Sequence, residues 1–150
     1  DIRLHDEIHR EGLSCQSCHS VPYKHCYDCH VQETEDGRPF YRVAPSEMAF
    51  KIGRNPRKGP ERPWDYVPLR HVPVARDSFA YYGEDLLDTF DNRPTWTYAT
   101  PHNIQRVTPQ NSSCDACHGN PDVFLTADDV REDEIVANAP VIVREVPPLP

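Results

Sequence analysis

Cys15-Gln16-Ser17-Cys18-His19 is the stretch on which the reading of this chain turns. It recurs as Cys26-Tyr27-Asp28-Cys29-His30 and again as Cys114-Asp115-Ala116-Cys117-His118. C-x-x-C-H is the attachment signal for c-type haem. Two residues between the thiols let both sulfurs reach one macrocycle edge as thioethers, and the following His places its imidazole under the iron. Three copies predict three covalently attached haems.

Competing uses of the cysteines fit worse. A zinc site would pair the first two C-x-x-C units, but the link between them, 20–26, is far shorter than the roughly 15–20 residues usual between zinc-ribbon pairs. Zinc also gives no reason for a His directly after every second Cys. A thioredoxin-like redox pair explains one C-x-x-C, not three each followed by His. Disulfides in an exported chain explain an even count of cysteines but not their spacing. The haem reading uses all six and leaves no orphan thiol.

The 150 residues are expected to form one domain. Only 37% are hydrophobic and 16 are Pro, and mean hydropathy is −0.73. Against a usual apolar share of about 45–50%, such a chain struggles to bury a conventional core or to offset its ordering entropy. Three anchored macrocycles would supply the missing apolar surface. The predicted fold class is therefore mostly irregular with short α-helices, little or no β structure, and a core built of haem. Within 1–150, the expected divisions are a di-haem segment 1–38, Pro-rich wrapping loops with distal histidines 39–110, the third haem site 111–125, and an acidic helix with a Pro-rich tail 126–150.

A formal charge of −8, deepened by haem propionates, argues against nucleic acid or an anionic lipid surface as partner. No apolar run approaches the ~20 residues of a membrane span. Beginning at Asp1 without a signal peptide, the sequence reads as a mature or excised piece. Attachment of c-type haem outside the cytoplasmic membrane implies a periplasmic or extracellular location.

Eight histidines are present, and His19, His30 and His118 are the proximal set. Three bis-His irons need three of the remaining five. His5 and His9 stand at i, i+4, on one face of a short helix that Gly12 is expected to stop. His71 lies in the stiff segment Val67-Pro68-Leu69-Arg70-His71-Val72-Pro73, whose prolines fix its direction. His102 follows Thr100-Pro101, which reads as an N-cap and first position of a helix. His9, His71 and His102 are assigned first as distal ligands, His5 next, and His25 is an alternate constrained by the attachment at Cys26. Met48 is the single thioether alternative, and it would raise that haem's potential.

Elsewhere, 31–76 shows no clear helical or strand period and is punctuated by prolines. Lys51, Arg54, Arg57, Lys58 and Arg62 make a locally basic loop there. A short helix is expected near 78–90, among the aromatics Phe79, Tyr81, Tyr82 and Phe90. An Asn111/Ser112 cap should open the third haem site. Thr126-Ala127-Asp128-Asp129 resembles a capping box opening a short acidic helix. From Ala139 the Pro-rich tail is expected to lie extended on the surface or on a neighbouring subunit.

The run Glu11-Gly12-Leu13-Ser14-Cys15-Gln16-Ser17-Cys18-His19, followed by Tyr23-Lys24-His25-Cys26-Tyr27-Asp28-Cys29-His30, resembles bacterial multihaem c-type cytochromes. These include the electron-transfer parts of the octahaem tetrathionate reductase and hydroxylamine oxidoreductase group, and extracellular cytochrome filaments. The resemblance covers the haem motifs and their flanking histidines, about a third of the chain. It implies electron transfer through closely spaced, usually bis-His haems in periplasmic or extracellular proteins. The chain departs from the octahaem enzymes in having three haem motifs and no C-x-x-C-K site.

The expected function is a non-enzymatic electron carrier, or a segment of a filament or larger redox complex, whose partners are redox proteins or like subunits. Six-coordinate irons exchange electrons with little rearrangement. The rival is an electron-relay or catalytic part of a multihaem oxidoreductase acting on sulfur or nitrogen oxyanions. It requires an open iron beside cationic donors, and the basic loop at 51–62 is the candidate for those donors.

Overall fold

The computed structural model describes residues 5–72, 83 and 93–150, and the side chains of 24–33 and 39–48 lie outside the described set. Two short helices open the described chain, α1 (Glu7–Gly12) and α2 (Cys15–His19). Strands β1 (Tyr23–Glu33) and β2 (Pro39–Met48) pair with each other, and β3 (Lys51–Arg54), β4 (Tyr66–His71) and β5 (Trp96–Tyr98) form a second sheet in the order β3-β4-β5. All the named strand pairs are antiparallel. A succession of 3-10 turns between Pro109 and Glu134 leads into α3 (Ile135–Asn138).

This corrects the expected fold class: the chain is mixed α and β, with two sheets. The prolines that argued against strands sit where strands tolerate them. Pro39 starts β2, and Pro45 falls between Ala44 and Ser46, opposite a register shift between His25 and Asp28. Pro68 lies in the central strand β4, where its carbonyl accepts from Ala99 N–H at 3.0 Å just past the end of β5. A residue's N and C=O face the same strand edge, so the missing donor of Pro68 falls where β5 has already stopped.

The expectation of a core made of haem also gives way. Val67 and Leu69, two apart on β4 and so on one face, are fully buried with Leu125, Val130, Val141 and Ile142, and Trp64, Trp96 and Tyr98 pack around them. A second cluster joins Ile52, Phe124 and Val143, with Leu13, Tyr66, Cys117 and Val146 packed against it. Composition undercounted this core because its material is concentrated in β4 and in 124–146. The tail is correspondingly not a surface strap from its start, since Val141, Ile142 and Val143 are buried.

Three local expectations are also revised. Residues 100–103 do not begin a helix; Asn103 O accepts from Val21 N–H at 3.1 Å and Ile104 bridges Ser20. Ser113, rather than Asn111 or Ser112, holds the N-cap position of the third motif, and its side chain makes no capping bond. Thr126 and Asp129 do form a capping box, but on a 3-10 turn. Lys51 Nζ donates to Asp129 Oδ1 at 2.7 Å and ties that turn to β3. The helix expected near 78–90 and its aromatics Phe79, Tyr81, Tyr82 and Phe90 lie outside the described residues.

Asn138 links α3 to β5. It is fully buried, its side-chain oxygen accepts from Trp96 N–H at 2.9 Å, and its amide donates to Thr95 Oγ1 and Glu134 O, each at 2.9 Å. Asn138→Ala leaves the Trp96 N–H buried without an acceptor, so stability is expected to fall by about 2 kcal/mol, measured as the shift of the urea midpoint. A loss below about 0.5 kcal/mol, the range of an ordinary surface change, would show that this network does not hold α3 to the sheet.

Candidate cofactor site

The first and third motifs each close into a single helical turn. In α2, Ser20 N–H donates to Gln16 O at 3.0 Å; in the third motif, His118 N–H donates to Cys114 O at 2.9 Å. One such turn carries positions i, i+3 and i+4 on one face, so Cys15, Cys18 and His19 share a face, as do Cys114, Cys117 and His118. That is the arrangement two thioethers and one axial imidazole require. In the second motif the backbone is the strand β1, and the register gains one residue between His25 and Asp28. A regular strand puts positions three apart on opposite faces, and one extra residue offsets that alternation. His25, Cys26, Cys29, His30 and Met48 have side chains outside the described set.

Motifs one and three, far apart in sequence, are neighbours in space. Burial, followed by the proximity of Cys18, pushes the Cys117 thiol up to about 11. Burial likewise raises Cys18, with Cys15 adding to it. The segment 105–111 is wedged between the two motifs: Thr108 Oγ1 donates to Cys18 O and Gln110 Nε2 to Ser20 O, while Cys117 Sγ donates to Gln110 O at 3.2 Å.

Both described motif histidines are held by Nδ1. His19 Nδ1 lies 2.8 Å from Gln105 O, and His118 Nδ1 lies 2.6 Å from Pro148 O. A carbonyl oxygen only accepts, so each Nδ1 carries the proton and each Nε2 is the nitrogen left to bind a metal. Asn111 Nδ2 stands 3.4 Å from His19 Nδ1, donor against donor, and it donates instead to Arg106 O at 3.1 Å. Holding the far nitrogen of a ligating imidazole in this way fixes its tautomer and raises its basicity. The C-terminal tail is part of this apparatus, because Gly119 N–H also donates to Pro147 O at 2.8 Å. Gly119 has φ +71, and Leu149 packs where a Cβ would project.

Facing these imidazoles are the two histidines near the N-terminus. The His5 and His19 ring centres are 5.9 Å apart with planes 13° from parallel. The His9 and His118 ring centres are 6.2 Å apart with planes at 70°. Two imidazoles bound to opposite sides of one metal, with bonds of about 2.0 Å and about 1.1 Å from nitrogen to ring centre, stand about 6.2 Å apart. Two pairs, each joining a motif histidine to one in or beside α1, fall near that separation. The residues that would hold a haem at these motifs are Cys15, Cys18, His19 and His5 at the first, and Cys114, Cys117, His118 and His9 at the third. Among the described residues no three His, Cys, Asp or Glu side chains converge on a metal-sized site, whereas a porphyrin asks the protein for two axial donors.

Asp6, which the sequence reading passed over, is the N-cap of α1. Its Oδ1 accepts from His9 N–H at 2.9 Å and from His9 Nδ1–H at 2.8 Å. These two bonds, the backbone one first, hold the Asp6 carboxyl below its ordinary range.

His71 and His102 have other described neighbours. His71 Nε2 faces Glu134 Oε2 at 3.2 Å, and its ring lies 5.2 Å from that of Trp96. His102 is exposed and stacks at 6.4 Å on Tyr23, the first residue of β1. Much of the basic loop is engaged within the protein: Lys58 with Asp65, Lys51 with Asp129, and Arg62 over the Tyr98 ring at 4.7 Å. No helix among the described residues is long and apolar enough to cross a membrane. No protein-family profile, curated protein sequence or solved structure matches the chain.

Proposed function

We propose that this chain is a tri-haem c-type cytochrome that carries electrons between redox partners. Cys15 and Cys18, Cys26 and Cys29, and Cys114 and Cys117 would hold the three groups as thioethers, with His19, His30 and His118 as proximal ligands. When bound, each haem supplies a one-electron Fe(III)/Fe(II) couple. The observation that supports the reading is the pairing of imidazoles, His5 with His19 and His9 with His118, at ring-centre separations near that of two ligands of one iron.

The protein's own residues account for the rest. Gln105 O and Pro148 O keep the proximal rings oriented and their Nε2 atoms free. His5 and His9 close the opposite positions, which favours electron exchange over substrate chemistry at those two irons. His25, His71 and His102 are the imidazoles left for the second motif. Since His5 stands just before α1 and His9 within it, only four residues of chain apart, the two irons they serve would be close neighbours, as rapid transfer requires. The −8 charge would steer basic partners with a salt-dependent on-rate. A periplasmic or extracellular location follows from the chemistry of attachment.

The test is export of the chain in a host equipped for c-type maturation, followed by denaturing mass spectrometry and a pyridine haemochrome assay. Three haems that stay with the unfolded chain are expected. A chain that leaves the same host haem-free and zinc-loaded would overturn the proposal.

A further inference from the structure

We propose that Asp6 is a positioning residue for the iron between His9 and His118, holding the His9 Nδ1–H in a charged hydrogen bond and so lowering that iron's reduction potential. The inference rests on the haem reading above and goes beyond it by making the sites unequal. Among the described contacts of the four axial histidines, His19 and His118 give their Nδ1–H to neutral backbone carbonyls. His9 gives its Nδ1–H to a carboxylate at 2.8 Å.

An anionic acceptor draws the proton toward itself and leaves the imidazole closer to imidazolate, a stronger donor to the metal. Stronger donation and the added negative charge both favour Fe(III) over Fe(II). Asp6 is also fixed in place, because the same Oδ1 caps α1 through the His9 backbone N–H. One side chain therefore sets where His9 sits and how strongly it binds. The Asp6 side chain is 47% exposed, so solvent screening keeps the effect at the modest end of second-shell influence.

The test uses the holoprotein and the variant Asp6→Asn, read by EPR-monitored redox titration with dithionite and mediators. Asn caps helices as well as Asp and still offers an oxygen to both His9 donors, so it removes charge while keeping geometry. The near-perpendicular planes of His9 and His118 should give a highly anisotropic low-spin signal. The near-parallel planes of His5 and His19 should give a rhombic one. Asp6→Asn is expected to shift the reduction equilibrium of the highly anisotropic signal about tenfold toward Fe(II), or about 59 mV for one electron, and to leave the rhombic signal in place. Glu7→Gln, which removes a neighbouring exposed charge, is expected to move neither signal comparably.

Unchanged midpoints in Asp6→Asn with full haem content would overturn the role of Asp6. So would an equal shift in Glu7→Gln, which would reveal a bulk charge effect. Absence of covalent haem from the unsubstituted protein would instead overturn the haem reading, and the mass spectrum separates that outcome from the other two.

Discussion

On the tri-haem proposal, His5→Ala is expected to turn one haem high-spin, His9→Ala a different one, and the double variant both. Each substitution removes an imidazole paired with a motif histidine, with ring centres 5.9 Å apart for His5 and 6.2 Å for His9. Neither touches a thioether, so all three haems should remain attached. The two variants are also distinguishable before any spin change is counted. Interplanar angles of 13° and 70° align the two ligands' π-donor orbitals in one pair and cross them in the other. His5→Ala should therefore erase the rhombic low-spin signal, and His9→Ala the highly anisotropic one. Added imidazole should restore each. If both variants lost the same signal, or if neither did, the pairing of α1 with the first and third motifs would be wrong.

Gly53→Ala is expected to be the most damaging single-methyl change in the sheet. A Cβ at this position would lie 2.1 Å from Leu69 Cδ1 and 2.9 Å from Val141 O. Leu69 is fully buried in the main core cluster, so its rotamer has little room to yield. The Val141 carbonyl is backbone and already accepts from Arg54 N–H at 2.9 Å. Both obstacles oppose relaxation, which places the cost near the upper end of the overpacking range, about 3 kcal/mol. For a chain of this size that corresponds to a fall in Tm of roughly 6–12 °C, read by far-UV circular dichroism. A change of less than about 2 °C would show that β3 and 141–143 separate more easily than their packing implies.

The local backbone of the first and third motifs was legible because their spacing is local. C-x-x-C-H matches one helical turn, and the first and third motifs adopt that turn. His5 and His9 at i, i+4 pointed to one face of a short helix, but α1 holds only His9, and His5 precedes its extended N-cap residue Asp6. What sequence reasoning missed was long-range or carried no side-chain signature. The Nδ1 partners of His19 and His118 are the backbone carbonyls of Gln105 and Pro148, which any residue could provide. His71 faces the buried Glu134, a neighbour far along the chain that no local pattern announces.

The strands were misread for a different reason. Counting prolines as breakers ignored where each falls in a ladder. One signal was available: Asp36-Gly37, with Gly37 at φ +75, is strong hairpin chemistry, and Phe40-Tyr41-Arg42-Val43 beyond it has strand-forming residues. The expectation of short helices with little or no β structure hid this hairpin. Asp6, three residues before His9, carried an N-cap signal that was likewise overlooked.

The contact between His9 and His118 has a topological consequence. A metal bound by both would act as a cross-link between positions 109 residues apart (118 − 9), whereas His5 and His19 would span only 14 (19 − 5). By the chain-entropy arithmetic used for disulfides, closing a loop of the longer kind restricts the unfolded chain by about 4–5 kcal/mol, and the shorter by about 3. Iron loading would then staple α1 at one end of the chain to the last motif at the other, enclosing both sheets within a single ring of protein and metal.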